Sequence, residues 1–403
     1  MSAFDVDAIT LEALRQRTSA KWRVYEPDVI PAWVAEMDFP LAEPISAALH
    51  GAIDRSDVGY RWIGELPDSL AGFAGATWGW DINPDHVVVL PDVLTSVAQA
   101  IWALTAPGEG VVVNTPVYPP FFSTVRDICG RALVDVPLLR DPEGTYELDL
   151  EGLAEAFARP EVTGYLLCSP HNPTGLTPSA ETLTSIAELA LLHGVAVIAD
   201  EIHAPLAHPG TIHTPFLTVS SDDLTAVSLI SASKAWNIAG AKCAQVVAAS
   251  QRVMDIMAER VPLEVTYATG HFGVLASIAA YREGGPWLEQ VRALIAANAL
   301  AVHEHVAAAM PAIRYVPPAS SYLGWMDFSD SAIIGDPAEF LLERARVAVS
   351  SGPTFGTGGE GFVRLNFGTS PAILADILDR MSRALTEPGI DASLMRHPEG
   401  KLR

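Results

Sequence analysis

Short, strongly apolar segments alternate with longer amphipathic stretches between about residues 85 and 250. The apolar segments are VVVL at 87–90, VVVN at 111–114, YLLC at 165–168, VAVIAD at 195–200 and AVSLIS at 226–231. Continuous apolar runs of this length are typical of parallel strands that are buried on both faces. Their alternation with helices predicts an α/β fold in which helices cover a mostly parallel sheet.

The chain from residue 286 onwards follows a different pattern. An Ala-rich helical stretch, LEQVRALIAANALAVHEHVAAAM, is followed by the Gly- and Pro-interrupted strands YLGWMDF and FVRLNF. This pattern predicts a smaller α+β domain, which the N-terminal segment is expected to join. We therefore predict a large domain over residues 51–285 and a small domain over residues 1–50 and 286–403. The final residues, DASLMRHPEGKLR, are expected to form a loosely held tail.

Composition and charge exclude several classes of protein. Hydrophobic residues make up 49% of the chain and charged residues 18%, which indicates a folded protein rather than a disordered one. The net charge of −23 has the wrong sign for binding a phosphate backbone, so we expect no nucleic-acid partner. The chain has neither an uninterrupted apolar run of about 20 residues nor a signal-peptide pattern, so we expect no membrane span and a cytoplasmic location. Its three cysteines are too widely spaced for a disulfide framework.

Four segments place polar side chains in otherwise apolar surroundings. Asn172 lies in SPHNPTG after YLLC, Asp200 ends VAVIAD, Lys234 follows AVSLIS, and Arg364 lies within FVRLNF. In open α/β folds the carboxyl ends of the strands carry the ligand-binding groups. A buried acid such as Asp200 requires a cation or a hydrogen-bond donor. An enclosed lysine such as Lys234 can be partly neutral and attack an aldehyde. An arginine in an apolar strand, such as Arg364, requires a carboxylate from a salt bridge or a substrate. Taken singly, SPHNPTG is also compatible with a simple turn, and SASK with a polar surface loop.

Three histidines at intervals of five residues suggest a metal site as an alternative. His203, His208 and His213 follow Asp200 and Glu201 closely. Zinc ligands are usually paired at closer spacing, and the prolines in this stretch favour an irregular loop. We therefore predict no metal.

The order of the four polar segments resembles that of the fold-type I pyridoxal 5'-phosphate enzymes, the aspartate aminotransferase superfamily, over nearly the whole chain. Further motifs resemble its cystathionine beta-lyase, or carbon–sulfur lyase, branch within class I/II: PAWVAEMDFP, GYRWIGE, NTPVYPPF and DEIHAPL. The resemblance implies the type I fold, with a mostly parallel seven-stranded sheet in the large domain. It also implies pyridoxal 5'-phosphate as the cofactor and a homodimer with shared active sites.

The resemblance implies a role for each polar residue. Lys234 would form the Schiff base with the cofactor aldehyde and later move the proton on the substrate Cα. Asp200 would pair with the pyridine nitrogen, whose positive charge makes the ring an electron sink. Asn172 and His203 would bond the phenolic oxygen, His203 standing where the superfamily often has a tyrosine. Tyr118 would stack on the pyridine face and could assist proton transfer.

The phosphate and the substrate would lie at opposite ends of the same site. Residues expected to hold the phosphate are Val93 and Leu94 through their amides at a helix N-terminus, Ser231, Ser233, Lys242 and, from the neighbouring subunit, Tyr60. Many relatives have arginine where Lys242 stands, which replaces a fork of donors with a point charge. Arg364 would hold the substrate α-carboxylate, with Trp33 and Asn172 lining that end.

The activity implied by the branch is β-elimination on a sulfur-containing L-amino acid. L-cystathionine or a cysteine S-conjugate would be cleaved to a thiol, pyruvate and ammonia. Two alternatives stay open. A class I/II aminotransferase shares the early steps, and a cofactor-binding regulatory protein would act through a protein partner.

Overall fold

A seven-stranded sheet forms the centre of the computed structural model, which describes residues 4–386; the expected C-terminal tail lies outside the described residues. Its strands are β1 (Val87–Leu90), β2 (Gly110–Val113), β3 (Ala132–Asp135), β4 (Val162–Cys168), β5 (Ala196–Asp200), β6 (Ala226–Ile230) and β7 (Ala244–Ala248). Their spatial order is β1-β7-β6-β5-β4-β2-β3, and only β7 runs antiparallel to its neighbours. The predicted mostly parallel sheet of seven strands is confirmed.

A second, smaller sheet follows later in the chain. It contains β8 (Arg314–Tyr315), β9 (Leu323–Asp327), β10 (Ser350–Ser351) and β11 (Phe362–Asn366), all antiparallel, in the order β8-β9-β11-β10. Two minor pairs complete the strands: Ile30–Pro31 with Val347–Ala348, and Leu139–Arg140 with Tyr146–Glu147. The two strands predicted from YLGWMDF and FVRLNF are thus central neighbours, β9 and β11.

Helices connect and cover these strands. The α-helices are Leu11–Leu14, Ala20–Arg23, Glu43–Asp54, Leu66–Trp78, Val93–Leu104, Pro120–Ser123, Leu150–Phe157, Ala180–His193, Ala232–Ala235, Gln251–Arg260, Leu263–Tyr267, His271–Glu283, Gly285–Ala309, Pro337–Phe340 and Pro371–Thr386. Short 3₁₀ helices are Pro84–His86, Ala204–Leu206, Phe216–Thr218, Ala239–Ala241 and Gly352–Phe355, and π-helical turns are Thr124–Ile128 and Leu341–Ala345. The predicted domain border at residues 50 and 51 falls inside Glu43–Asp54, and the border at 285 and 286 falls at the start of Gly285–Ala309. The division into domains stays a prediction.

Strand β5 shows why the central strands are continuously apolar. Ile198 packs on the side of the sheet covered by helices Val93–Leu104 and Gln251–Arg260. Val197 and Ala199 pack on the other side, which helices Leu150–Phe157 and Ala180–His193 cover. Because both faces are buried, polar residues are tolerated only where the strand ends, at Asp200.

The N-terminal segment 33–38 crosses between the two sheets and is fixed by buried side chains. Lys21 Nζ donates to Asp38 Oδ1 at 2.8 Å and to the carbonyl of Glu36 at 2.9 Å. Asn237 exchanges two hydrogen bonds of 2.8 Å with the backbone of Met37. Asn366 Nδ2 donates to the carbonyls of Val34 and Glu36, both at 2.7 Å. The segment is therefore held at several points along its length.

None of the helices within residues 4–386 combines the length and the apolar character that a membrane-spanning helix requires. The cytoplasmic location stays a prediction.

Substitution of Asp38 by Asn tests the buried ion pair. Both partners are almost fully buried, so Asp38→Asn leaves the Lys21 charge uncompensated, and we expect the free energy of unfolding to fall by about 3–5 kcal/mol. The matched control is Glu65→Gln, which breaks the solvent-exposed pair with Arg282 and is expected to cost about 1 kcal/mol or less. Urea unfolding followed by tryptophan fluorescence measures both. Equal losses in the two variants would contradict a specific role for the buried pair.

Candidate active site

The carboxyl ends of the central strands and strand β11 enclose a cavity of about 300 Å³. Ten of the residues predicted for the site line it: Val93, Leu94, Tyr118, Asn172, Asp200, His203, Ser233, Lys234, Lys242 and Arg364. Its other lining residues are Val34, Ala35, Asp92, Phe121, Cys168, Ile202 and Ala239. Side chains that are distant in the sequence thus converge on one enclosed space.

Lys234 stands on the short helix that follows β6. Ser231 begins this helix, because its hydroxyl accepts a hydrogen bond from the Ser233 N–H at 3.1 Å. Lys234 Nζ donates to the carbonyl of Ala35 at 2.8 Å. Burial, and after it the positive charge of Arg364, lower the pKa of Lys234 to about 8. About one tenth of the amine is therefore neutral at pH 7, and this is the form that nucleophilic attack requires.

Asp200 ends strand β5 and is 5% exposed. Its Oδ1 accepts the N–H of Ile202 at 3.1 Å, and within residues 4–386 no cation forms an ion pair with it. Burial raises the pKa of its carboxyl to about 7. A cationic nitrogen brought beside this carboxylate would be stabilised and would in turn keep Asp200 ionised.

Arg364 and Asn172 meet at the end of the cavity that faces the small sheet. Arg364 Nη1 donates to Asn172 Oδ1 at 3.0 Å, which fixes the amide orientation because a guanidinium can only donate. The Asn172 Nδ2 group is left available as a donor. Arg364 Nη2 donates to the carbonyl of Trp33 at 2.8 Å and to Ser350 Oγ at 3.2 Å.

Arg364 lacks an acidic partner although it is only 6% exposed. None of the ion pairs among residues 4–386 includes it, and its Nε has no hydrogen-bond partner there. Its guanidinium carbon lies 5.0 Å from the ring centroid of Phe355. Burial lowers the pKa of Arg364 to about 10. A buried guanidinium in this state is poised to bind a carboxylate that enters the cavity.

His203 follows Asp200 by three residues and is 3% exposed. Its Nδ1 lies 3.1 Å from Ser321 Oγ. Burial, with the charges of Lys234 and Arg364, lowers the pKa of His203 to about 3. The imidazole is therefore neutral and presents a single N–H.

The opposite end of the cavity holds the start of helix Val93–Leu104. Asp92 caps this helix by accepting the Thr95 N–H at 2.7 Å. Val93 and Leu94 line the cavity, and their N–H groups have no hydrogen-bond partner within residues 4–386. Lys242 Nζ lies 3.0 Å from Asp92 Oδ2. The exposed Lys242 ammonium thus offsets the negative charge of the cap, which would otherwise repel an anion at the helix N-terminus.

Three predicted site residues do not line the cavity. Ser231 is fully buried and donates to the carbonyl of Cys243 at 2.7 Å, so it fixes the start of the Lys234 helix without reaching the cavity. Trp33 contributes its backbone carbonyl to Arg364, while its ring packs edge-on against Tyr25. Tyr60 is 95% exposed on the surface. Any contact of Tyr60 with a cofactor would need a second subunit.

Tyr118 lines the cavity beside Phe121, with the ring centroids 5.7 Å apart in an edge-to-face arrangement. Burial raises the pKa of its hydroxyl, which therefore stays protonated near neutral pH.

The sequence did not reveal the role of backbone groups from residues 33–35. Their carbonyls hold both Lys234 and Arg364, and carbonyls carry no residue-specific signal. The signal at this segment is the motif PAWVAEMDFP, which resembles the lyase branch. The Ser321 hydroxyl, which contacts His203, has no comparable signal, because nothing in YVPPASSYLGW singles it out.

The three histidines considered for a metal site each lie against a protein group, His203 against the Ser321 hydroxyl. His208 Nε2 bonds the carbonyl of Ser321 at 2.6 Å, and His213 Nε2 lies 3.3 Å from Glu201. Residues 4–386 contain no group of three or more His, Cys, Asp or Glu side chains arranged to hold a metal ion.

Comparison with known proteins identifies relatives along most of the chain. The profile of the family "Aminotransferase class I and II" matches residues 55–381. "Cystathionine beta-lyase PatB" of Bacillus subtilis (strain 168) is 36% identical over 89% of this chain and 93% of its own length. "Cystathionine beta-lyase" of Corynebacterium glutamicum is 33% identical over 93% and 99%, respectively. The crystal structure of cystalysin from Treponema denticola, which contains pyridoxal 5'-phosphate, superposes with a TM-score of 0.87 at 27% identity over 92% of this chain and 96% of that one. The predicted fold class is confirmed.

The unpaired state of Arg364 leads to a stability prediction. Arg364→Met removes three hydrogen bonds, to Asn172, Trp33 and Ser350, but it also removes a buried charge that repels Lys234, so the two effects oppose each other and we expect the free energy of unfolding to fall by less than about 2 kcal/mol. Arg131 is a matched control, since it is also 6% exposed but all three donor nitrogens bond Thr105 or Cys129. Arg131→Met should lower the free energy of unfolding by about 2–4 kcal/mol. Urea unfolding compares the two, and an equally large loss in Arg364→Met would contradict the interpretation of Arg364 as a ligand-binding group.

Proposed function

Because this chain belongs to the class I and II aminotransferase family, we propose that it is a pyridoxal 5'-phosphate-dependent carbon–sulfur β-lyase. Its substrate is an L-amino acid with a sulfur leaving group on Cβ, such as L-cystathionine or a cysteine S-conjugate. The activity named for relatives that are 33–36% identical over most of the chain supports this proposal. The unpaired Arg364 guanidinium is the structural observation that carries it.

The residues of the cavity fit pyridoxal 5'-phosphate. Lys234 is available for the aldehyde, and the Asp200 carboxylate, which lacks a cation, suits a protonated pyridine nitrogen. The Asn172 amide would donate to the phenolic oxygen, with His203 beside it, and the N–H groups of Val93 and Leu94 would hold the phosphate. When bound, the cofactor withdraws electrons from the substrate Cα.

Arg364 binds and orients the substrate. Its guanidinium donates N–H groups to the α-carboxylate, while Asn172 and the Trp33 carbonyl hold the guanidinium in place. Because Arg364 and Lys234 both line the cavity, a carboxylate bound at Arg364 brings the substrate Cα within the enclosed space that Lys234 shares. Binding the α-carboxylate thus places the Cα–H bond for proton transfer.

Lys234 acts as the base at the substrate Cα. Its pKa of about 8 lies close to neutral pH, where a general base is most effective. Lys234 Nζ takes the Cα proton, the electron pair forms the Cα–Cβ double bond, and the Cβ–S pair leaves with the sulfur. Water converts the released enamine into pyruvate and ammonia. The Tyr118 hydroxyl, protonated in this setting, can return a proton to the thiolate.

A second copy of the chain completes the site in this proposal. Tyr60 is 95% exposed, and its neighbours Val58 and Trp62 are 65% and 79% exposed. Large apolar side chains clustered at a surface favour an interface between protein molecules. Tyr60 then reaches the phosphate end of the partner's cavity, and the assembly is a homodimer in the cytoplasm.

Incubation with L-cystathionine in the absence of a 2-keto acid tests the activity. The cofactor-loaded protein should release pyruvate and free thiol in equal amounts, and Lys234→Ala should release neither because it lacks both the nucleophile and the base. Arg364→Lys should raise KM about tenfold or more, since a point charge replaces the bidentate fork.

Two other outcomes would overturn the lyase assignment. Absence of pyruvate together with amino-group transfer after addition of a 2-keto acid would identify an aminotransferase. Bound cofactor colour without turnover, together with a cellular effect that survives Lys234→Ala, would identify a regulatory protein that acts through a partner.

The pKa of Lys234 predicts how cofactor capture depends on pH. Only the neutral amine attacks the aldehyde, so the capture rate of the cofactor-free protein should rise with pH and level off above about 8. Arg364→Met should move this profile to higher pH, because the Arg364 charge lowers the pKa of Lys234. Stopped-flow absorbance measures the rate. A profile that stays at the same pH in Arg364→Met would contradict the coupling.

A further inference from the structure

Two chain segments are joined beside His203 at the wall of the cavity. The N–H of His208 donates to the carbonyl of Ala319 at 2.9 Å, and the N–H of Ser321 donates to the carbonyl of Leu206 at 3.0 Å. His208 Nε2 also bonds the Ser321 carbonyl at 2.6 Å. Ser321 is therefore fixed relative to the segment that follows β5.

Ser321 has an unusual backbone conformation for a residue with a side chain. Its φ of 71° lies in the left-handed region, where a side chain is disfavoured and glycine is preferred. Non-glycine residues in such conformations concentrate at functional sites, where the surrounding structure enforces them. At Ser321 this conformation places Oγ 3.1 Å from His203 Nδ1, with both residues only 3% exposed.

The direction of this hydrogen bond follows from satisfying the buried hydroxyl. Within residues 4–386, His203 Nδ1 is the recorded side-chain partner of Ser321 Oγ. If Nδ1 carried the proton and donated, the serine hydroxyl hydrogen would be buried without an acceptor, which is costly. If the hydroxyl donates instead, that hydrogen is satisfied and Nδ1 is the acceptor. A neutral imidazole must then carry its proton on Nε2.

We infer that Ser321 is a positioning residue that holds His203 as its Nε2–H tautomer, so that the imidazole donates a hydrogen bond into the cavity. This inference rests on the proposed function, in which the phenolic oxygen of the cofactor lies beside His203 and Asn172. A tyrosine at this place always has a hydroxyl proton to donate, whereas a histidine donates only in the right tautomer. Ser321 selects the tautomer in which His203 can donate.

Burial, and after it the charges of Lys234 and Arg364, keep His203 neutral, so the inference concerns a tautomer rather than a protonation switch. Lys234 and Arg364 disfavour an imidazolium at this place. Asp200 begins the same segment, and the Tyr322 ring packs edge-on against the imidazole with 6.2 Å between centroids. A pH titration of the visible absorbance of the cofactor-loaded protein therefore reports protonation of the cofactor. His203 influences that titration only as a neutral hydrogen-bond donor.

Ser321→Ala removes the hydroxyl and tests the inference through the visible absorbance of the cofactor-loaded protein. A donor at the phenolic oxygen stabilises the deprotonated form of the bound chromophore, because that form carries more negative charge on this oxygen. Losing the donor should raise the pKa of the visible transition by about 0.5–1 unit, the size expected for one hydrogen bond. We expect kcat to fall about three- to tenfold with little change in KM.

Two further variants separate positioning from structure. Ser320→Ala is the matched control, since Ser320 is fully buried in the same segment but its hydroxyl has no partner among residues 4–386; it should leave the titration unchanged. Ser321→Gly also removes the hydroxyl while relieving the backbone conformation, so it should show the spectral shift of Ser321→Ala with better stability.

A double-mutant cycle with His203→Phe decides the outcome. The phenylalanine lacks any donor, so His203→Phe alone should shift the titration at least as far, and Ser321→Ala should add nothing in that background. A shift in His203→Phe without one in Ser321→Ala would overturn the role of Ser321 and leave the proposed function intact. Failure of the wild-type protein to bind the cofactor covalently would instead overturn the proposed function. An equal shift in Ser320→Ala would show that general disturbance of the segment causes the effect.

Discussion

The site depends on how the protein accommodates two cations in one enclosed cavity. Lys234 donates to the carbonyl of Ala35, and Arg364 donates to the carbonyl of Trp33. Both acceptors belong to one short stretch of backbone. Carbonyl dipoles solvate each cation without neutralising it, so the positive charge of the cavity is preserved. This explains why the Arg364 charge adds to burial in lowering the pKa of Lys234, and why an anion would complete the site.

Side chains from different parts of the chain hold the carbonyls of Trp33 and Ala35 in place. Asn237 stands three residues after Lys234, and Asn366 stands two residues after Arg364; both bond the segment that supplies the acceptors. Lys234 and Arg364 are therefore connected through the backbone segment 33–38, which accepts a hydrogen bond from each. The buried ion pair of Lys21 and Asp38 fixes the C-terminal end of the segment 33–38. A displacement of this segment would alter both cations together.

The apolar pattern predicted five of the seven strands of the central sheet and missed β3 and β7. Strands β1, β2, β4, β5 and β6 lie close to the continuous apolar runs, whereas Gln245 interrupts the sequence AQVVA of β7. Strand β3 lies at the edge of the sheet, exposed at both of its ends and half-buried between them, so its sequence ALVD has no distinctive pattern.

Which residues of the site could be predicted from the sequence also depends on whether they stand out from their neighbours. Asn172, Asp200, Lys234 and Arg364 could be predicted because charged and amide side chains are conspicuous in apolar surroundings. Backbone acceptors at Trp33 and Ala35, and a serine in a left-handed conformation, depend on tertiary placement that no local pattern encodes.

The charge distribution favours a substrate without net charge. The chain as a whole carries a net charge of −23, yet its cavity is lined by Lys234, Lys242 and Arg364. The surface charge is screened within about 8–10 Å at physiological ionic strength, while the enclosed cations are screened much less. Of these cations, Lys242 is already paired with Asp92, and Lys234 is needed for the cofactor. Arg364 is then left for a single α-carboxylate, so the cavity suits an amino acid whose carboxylates are balanced by its own ammonium groups, as in L-cystathionine, better than an amino acid with a net negative charge, whose extra carboxylate would lack a cation among these residues.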